Sequence, residues 1–159
     1  MKSERRRTAK GDGKGAAAYV LEDQIGHLLR RAHQRATAIF LAELGEAHRL
    51  TPTQFAALVK LRDLGEQSQN ELGRLTAMDP ATIQGVIGRL VARRLIERSG
   101  DPSDRRRAKL RLTARGRDLV DRLIPLGFRV SAVTLHPLSM RERERFLSLL
   151  ERLARADGA

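Results

Sequence analysis

The side chains with the clearest chemical purpose in this sequence are cations and amides. Arg105, Arg106 and Arg107 follow one another directly behind Asp104. A second set follows Pro80. If Ile83, Val86, Ile87, Leu90 and Val91 turn toward a core at helical spacing, then Ala81, Thr82, Gln84, Gly85, Gly88, Arg89 and Arg93 are left on the other side. That side suits a major groove: Thr82 and Gln84 offer hydrogen bonds to base edges, and Arg89 reaches a guanine or a phosphate. Gly85 lets a duplex come close. Pro80 and Ala81 open the helix, where free N–H groups and a partial positive charge favour phosphate. Ser68, Gln69 and Asn70 begin the preceding helix and are placed for backbone phosphates. An arginine at a hairpin tip enters a minor groove, and Asp104 holds one guanidinium in place through a bidentate pair.

Other chemistry finds little support. There is no nucleophile–base pair, no pair of catalytic carboxylates, no phosphate-cradling glycine loop and no metal motif, so no enzyme activity and no cofactor is expected. Cysteine is absent, which excludes disulfides and thiol sensing. The histidines, His27, His33, His48 and His136, lack tight ligand spacing. The formal net charge is +12, which points to a polyanion. Ten basic and four acidic residues lie between positions 79 and 115, and six basic and two acidic within 1–15. No apolar run approaches the roughly 18 residues that cross a bilayer, and the basic N-terminus lacks an apolar core segment. The expectation is a cytoplasmic protein that does not engage a membrane.

The elements that must position these residues are mostly helical. Aromatics make up only 3%, so the core must be aliphatic, which favours packed helices. Residues 1–15 read as a disordered basic arm. A helical pattern runs from Ala16 to about Leu44, with Gly45 as its stop. Thr51-Pro52-Thr53-Gln54 is a capping box with proline at the first position, and Gly65 ends that helix. Ser68-Gln69-Asn70-Glu71 reads as a second capping box, Thr76-Ala77-Met78 as a turn, and Asp79-Pro80 as the next start. Leu95–Arg98 and Lys109–Leu112 form a hairpin around a turn-rich loop. Thr113 caps a long helix with a bend expected near Pro125. His136-Pro137 breaks it, and Ser139–Glu142 caps the last helix.

Two short helices around a three-residue turn, followed at once by a basic hairpin, make a specific constellation. The stretch from Thr51 to Leu119 resembles the winged helix-turn-helix of the MarR family. The carriers are Gln69-Asn70-Glu71-Leu72-Gly73-Arg74-Leu75, Asp79-Pro80-Ala81-Thr82-Ile83, Leu90 through Arg98, Asp101-Pro102-Ser103-Asp104-Arg105-Arg106, and Leu112-Thr113-Ala114-Arg115-Gly116. The fold class expected is mainly α with a small β-hairpin wing, a winged helix-turn-helix joined to a helical dimerisation region. The divisions expected are a dimerisation helix at 16–48, the DNA-binding unit at 49–116 and C-terminal dimerisation helices at 117–159.

The resemblance implies a homodimeric repressor that binds a pseudo-palindromic double-stranded DNA operator and is released by a small aromatic acid. Independently, the apolar stripes of the first and last helices exceed what so small a chain buries alone. A two-fold pair of reading helices would meet half-sites about 34 Å apart. For the effector, a carboxylate needs an arginine or histidine in an apolar pocket; His27 and Arg31, with Arg30 and His33 beside them, are the candidates, and Phe40, Phe55 and Met78 the walls. The run Thr76–Leu90 is similar to MarR-type regulators of nicotinic acid catabolism, which implies a pyridine carboxylate such as a hydroxynicotinate. The competing reading is a sequence-tolerant architectural DNA binder, which the charge also permits.

Overall fold

A computed structural model describes residues 18–100 and 109–155. After a single 3-10 turn at Leu21–Asp23, α1 spans Ile25–Phe40. It does not stop at Gly45. The chain continues through a π-helical turn, Leu41–Gly45, into a last turn, α2, Glu46–His48. The residue that ends it is Arg49, in the left-handed region at φ 53°. Gly45 serves packing instead: it is buried, and a Cβ there would lie 2.7 Å from Leu41 Cδ2 and 3.0 Å from the Leu50 carbonyl oxygen.

The helix α3, Pro52–Leu64, has the full capping box. Thr51 Oγ1 accepts from Gln54 N–H, and the Gln54 side chain, itself buried, accepts from Thr51 N–H at 3.0 Å. The helices α4, Gln69–Leu75, and α5, Pro80–Ala92, make the helix-turn-helix. At the α4 start the box is only half formed. Ser68 Oγ accepts from Glu71 N–H at 3.2 Å, but the Glu71 carboxylate pairs with Arg74. A long cation three residues on, in the next turn of the helix, takes the carboxylate that the reciprocal cap bond would use.

The strands are β1, Gln67–Ser68, β2, Ile96–Ser99, and β3, Lys109–Leu112, in the antiparallel order β1-β3-β2. The hairpin is in the expected place. The two-residue β1 is an addition, too short to carry an alternating pattern. It tethers the α4 start to the wing through Ser68↔Lys109. Across the hairpin, the register partners Glu97 and Arg111 form an ion pair at 2.8 Å. The wing tip expected to carry Asp104, Arg105, Arg106 and Arg107 lies outside the described residues, as does the N-terminal arm.

The long α6, Ala114–Thr134, is capped by Thr113 and passes through Pro125. The final α7, Met140–Arg155, follows a capping box in which Ser139 N–H and Oγ both donate to Glu142. One aliphatic core joins these parts. It runs from Phe40 and Leu44 through Leu58, Leu61 and Leu72 to Val86, Ile87, Leu90, Ile96, Leu110, Val120 and Leu123. Phe40 is its one buried aromatic among the described residues. By contrast α7 buries none of its residues, although Phe146, Leu147, Leu149 and Leu153 share it.

Candidate nucleic-acid interface

The helix α5 is built to be bare on one side. Ile83, Val86, Ile87 and Leu90 are at most 2% exposed. Ala81, Gln84, Gly88, Arg89 and Ala92 are exposed, and Gly85 is half-exposed among them. Val91, expected in the core stripe, lies at its rim and is exposed. The angle to α4 is set by the turn. Ala77 takes a left-handed φ of 52°, and the Thr76 hydroxyl donates to the Leu72 carbonyl at 2.5 Å. Gly73 permits the crossing, since a Cβ there would already be 3.3 Å from the Met78 oxygen.

Each residue expected on the duplex-facing side has a definite place. Asp79 caps α5: Oδ1 accepts Thr82 N–H at 2.9 Å and Oδ2 accepts the Thr82 hydroxyl at 2.6 Å. These bonds favour the ionised form, so the Asp79 carboxyl titrates below its ordinary value, with the Thr82 hydroxyl as the largest cause. Thr82 therefore spends its proton on the cap, and its oxygen is left to accept. The Gln84 side chain has no hydrogen-bond partner among the described residues. The Arg89 guanidinium folds back over Gly85, where its Nη1 and Nη2 would lie 3.5 Å from a Cβ. Pro80 opens the helix and is exposed with Ala81; Ser68 and Asn70 are exposed, and Gln69 half-exposed, at the α4 start.

Arg93 is differently employed. Its Nη1 donates to the Arg49 carbonyl at 2.7 Å and its Nη2 to the His48 carbonyl at 2.9 Å. It clamps the C-terminus of α5 to the end of the first helical run. Sequence spacing alone gave no signal for this bond, because the partners lie 44 and 45 positions upstream.

The residues expected around an effector do not gather in one place. Phe40 is buried against Phe55, ring centroids 5.8 Å apart. Met78 packs on the core from the α4–α5 turn. His27 Nδ1 lies 3.3 Å from Arg30 Nη2, and Arg31 is exposed. Two cavities flank α6. One, of about 450 Å³, lies between α1, α6 and α7, with Leu29, His33, Val130, Ser131, Thr134 and Phe146 among its walls. The other, of about 360 Å³, is bounded by Phe55, Val59, Ile124 and Phe128. Of the expected anchors His27 and Arg31 and the expected walls Phe40, Phe55 and Met78, only Phe55 lines either one. Thr134 and Ser131 are the polar groups that sequence reading missed; the Thr134 hydroxyl is buried without a hydrogen-bond partner among the described residues. No helix among the described residues is long and apolar enough to cross a membrane.

Residues 50–108 match the MarR family. The chain is 43% identical over 139 residues to the HTH-type transcriptional repressor NicR of Pseudomonas putida, a match that covers 87% of each protein. Among solved structures, BpsR of Bordetella bronchiseptica, whose DNA binding is regulated by 6-hydroxynicotinic acid, superposes with a TM-score of 0.81 at 41% identity. It covers 89% of this chain and 100% of that one. PcaV of Streptomyces coelicolor, solved in complex with its natural ligand, gives 0.78 at 33% identity, covering 90% of this chain and 100% of its own. With a capped helix bare on its outer side, a hairpin behind it and relatives alike over nearly the whole length, the chain belongs to the MarR family.

Proposed function

We propose that this protein is a dimeric transcriptional repressor that reads a two-fold DNA operator and lets go when a small aromatic carboxylate binds. The observation that carries the reading is α5: a helix with a buried aliphatic back and an outer side of Ala81, Gln84, Gly85, Gly88 and Arg89. Small residues admit the duplex, and the free Gln84 amide suits the paired donor and acceptor of an adenine edge. Ser68, Gln69, Asn70, Pro80 and Thr82 flank it as phosphate contacts, and Asp104 to Arg107 supply the wing contact. Residues 49–116 form the DNA-reading unit; the helices on either side form the dimer. Supporting the dimer, Tyr19, Ile25, Phe128 and Met140 are each more than 60% exposed, and no residue of α7 is buried against the described residues, with Leu147, Leu149 and Leu153 exposed on it.

For the effector, the α1–α6–α7 cavity fits a flat aromatic acid. Leu29, Val130 and Phe146 offer apolar contact, His33 an anchor for a carboxylate, and the unpartnered Thr134 hydroxyl a hydrogen bond to a ring substituent. Likeness to a repressor named NicR and to BpsR makes 6-hydroxynicotinic acid the first compound to try. The test is footprinting at moderate salt on DNA from upstream of the protein's own gene, with and without that acid. A discrete palindromic footprint that fades with the acid is expected. Even coating of the DNA would refute the repressor reading. Gln84→Ala should change base preference more than total affinity, and Arg106→Ala should weaken operator binding while leaving the dimer intact.

A further inference from the structure

Arg49, at the exit of α2, borders two adjoining clefts that the sequence reading did not include. One, of about 420 Å³, is bounded by Arg49, Gln54, Arg89, Ala92 and Arg93. The other, of about 280 Å³, has His48, Arg49, Arg93, Arg115 and Arg122 in its walls. Arg49 and Arg93 belong to both.

Neither cleft has an aspartate or glutamate in its walls. Arg62, Arg74, Arg111, Arg129 and Arg155 each sit beside a carboxylate. Arg49, Arg89, Arg115 and Arg122 are exposed, and among the described residues none has a carboxylate within 4.0 Å. The carbonyls at the end of α2 would bring negative potential to this spot. Arg93 covers them, donating to His48 and Arg49. What remains is a positive strip. It begins on the outer side of α5, where Gly85, Arg89 and Ala92 align at helical spacing, and runs past Arg49 to Arg115 and Arg122 on α6.

We propose that this strip carries the phosphate backbone of the duplex flanking the bases read by α5, with Arg49, Arg115 and Arg122 as phosphate contacts outside the winged helix-turn-helix reading face. A guanidinium matches phosphate oxygens with two parallel N–H donors. The proposal rests on the duplex-binding reading above, and it adds residues that no local motif marks.

The test is the salt dependence of duplex binding. Each lost phosphate contact lowers the slope of log K against log salt by about 0.9. The triple variant Arg49→Gln/Arg115→Gln/Arg122→Gln should therefore lose about 2 to 3 from the wild-type slope, and Arg49→Gln alone about 1, with Arg49→Lys restoring most of it. A second triple variant, Arg141→Gln/Arg145→Gln/Arg152→Gln on α7, removes the same charge elsewhere and should keep the wild-type slope. An unchanged slope in the first triple, or an equal fall in both, overturns the proposal. So does an unchanged slope with loss of thermal stabilisation by inorganic phosphate alone, which would mark a site for the free ion. A wild-type protein that ignores duplex DNA would sink the underlying reading, and this one with it.

Discussion

Replacing Arg93 with methionine separates two roles that its sequence position leaves open, DNA contact and structural clamp. Methionine keeps much of the apolar stem and removes the fork. The loss is two charge-assisted hydrogen bonds, at 2.7 Å to the Arg49 carbonyl and 2.9 Å to the His48 carbonyl. Hydrogen bonds to charged groups contribute about 1.5 to 3 kcal/mol each. The bond to Arg49 is exposed and that to His48 partly buried, so solvent screening reduces the first to about 1 kcal/mol or less. The expected cost is about 2 to 3 kcal/mol, seen as a lower urea midpoint at unchanged m-value and fixed protein concentration. The salt slope of DNA binding should stay at the wild-type value. The opposite pattern, stability within about 0.5 kcal/mol of wild type and a slope lower by about 1, would refute the clamp and restore Arg93 to the phosphate contacts.

Further outcomes follow from single contacts. Gly116→Ala should destabilise by about 3 kcal/mol or prevent soluble expression, because the added Cβ would run into the Leu95 carbonyl, 2.9 Å from its carbon, and backbone cannot yield cheaply; thermal unfolding reads it. Asp79 has a folded-state pKa below its unfolded value, so its contribution is present above the ordinary carboxylate range near pH 4 and is lost as pH falls through the depressed value. Asp79→Asn keeps a capping oxygen and should flatten that part of the acid-stability profile; an unaltered profile would show that Asp79 does not contribute to it. Thr134→Val is near-isosteric and removes an unpartnered hydroxyl. It should leave stability unchanged or slightly raised while weakening binding of 6-hydroxynicotinic acid about tenfold, the worth of one good hydrogen bond, as measured by calorimetry. Unchanged binding would place the effector elsewhere.

The local code of this protein is strong. Thr51, Asp79, Thr113 and Ser139 each cap the helix expected of them, because a cap involves only residues three positions apart. The buried stripe of α5 and the β2–β3 hairpin are likewise set by spacing within a few residues, and the bare outer side of α5 follows from the stripe. Val91 marks the limit: periodicity assigns it a face, but only the neighbouring elements decide that the face ends there.

What the amino-acid order determined by itself was therefore the main helices and the hairpin, the capped helix starts and the helix side offered to a duplex, since those depend on contacts along a single turn. Tertiary structure alone decided the partners. It brought the carbonyls of His48 and Arg49 to Arg93, made Gly45 a packing residue within a continuing helix, paired β1 with β3, and placed Thr134 in a cavity beside His33. A side chain chooses among distant groups only after packing has set their distance and their access to water, and neither quantity is written in the spacing of residues along the chain.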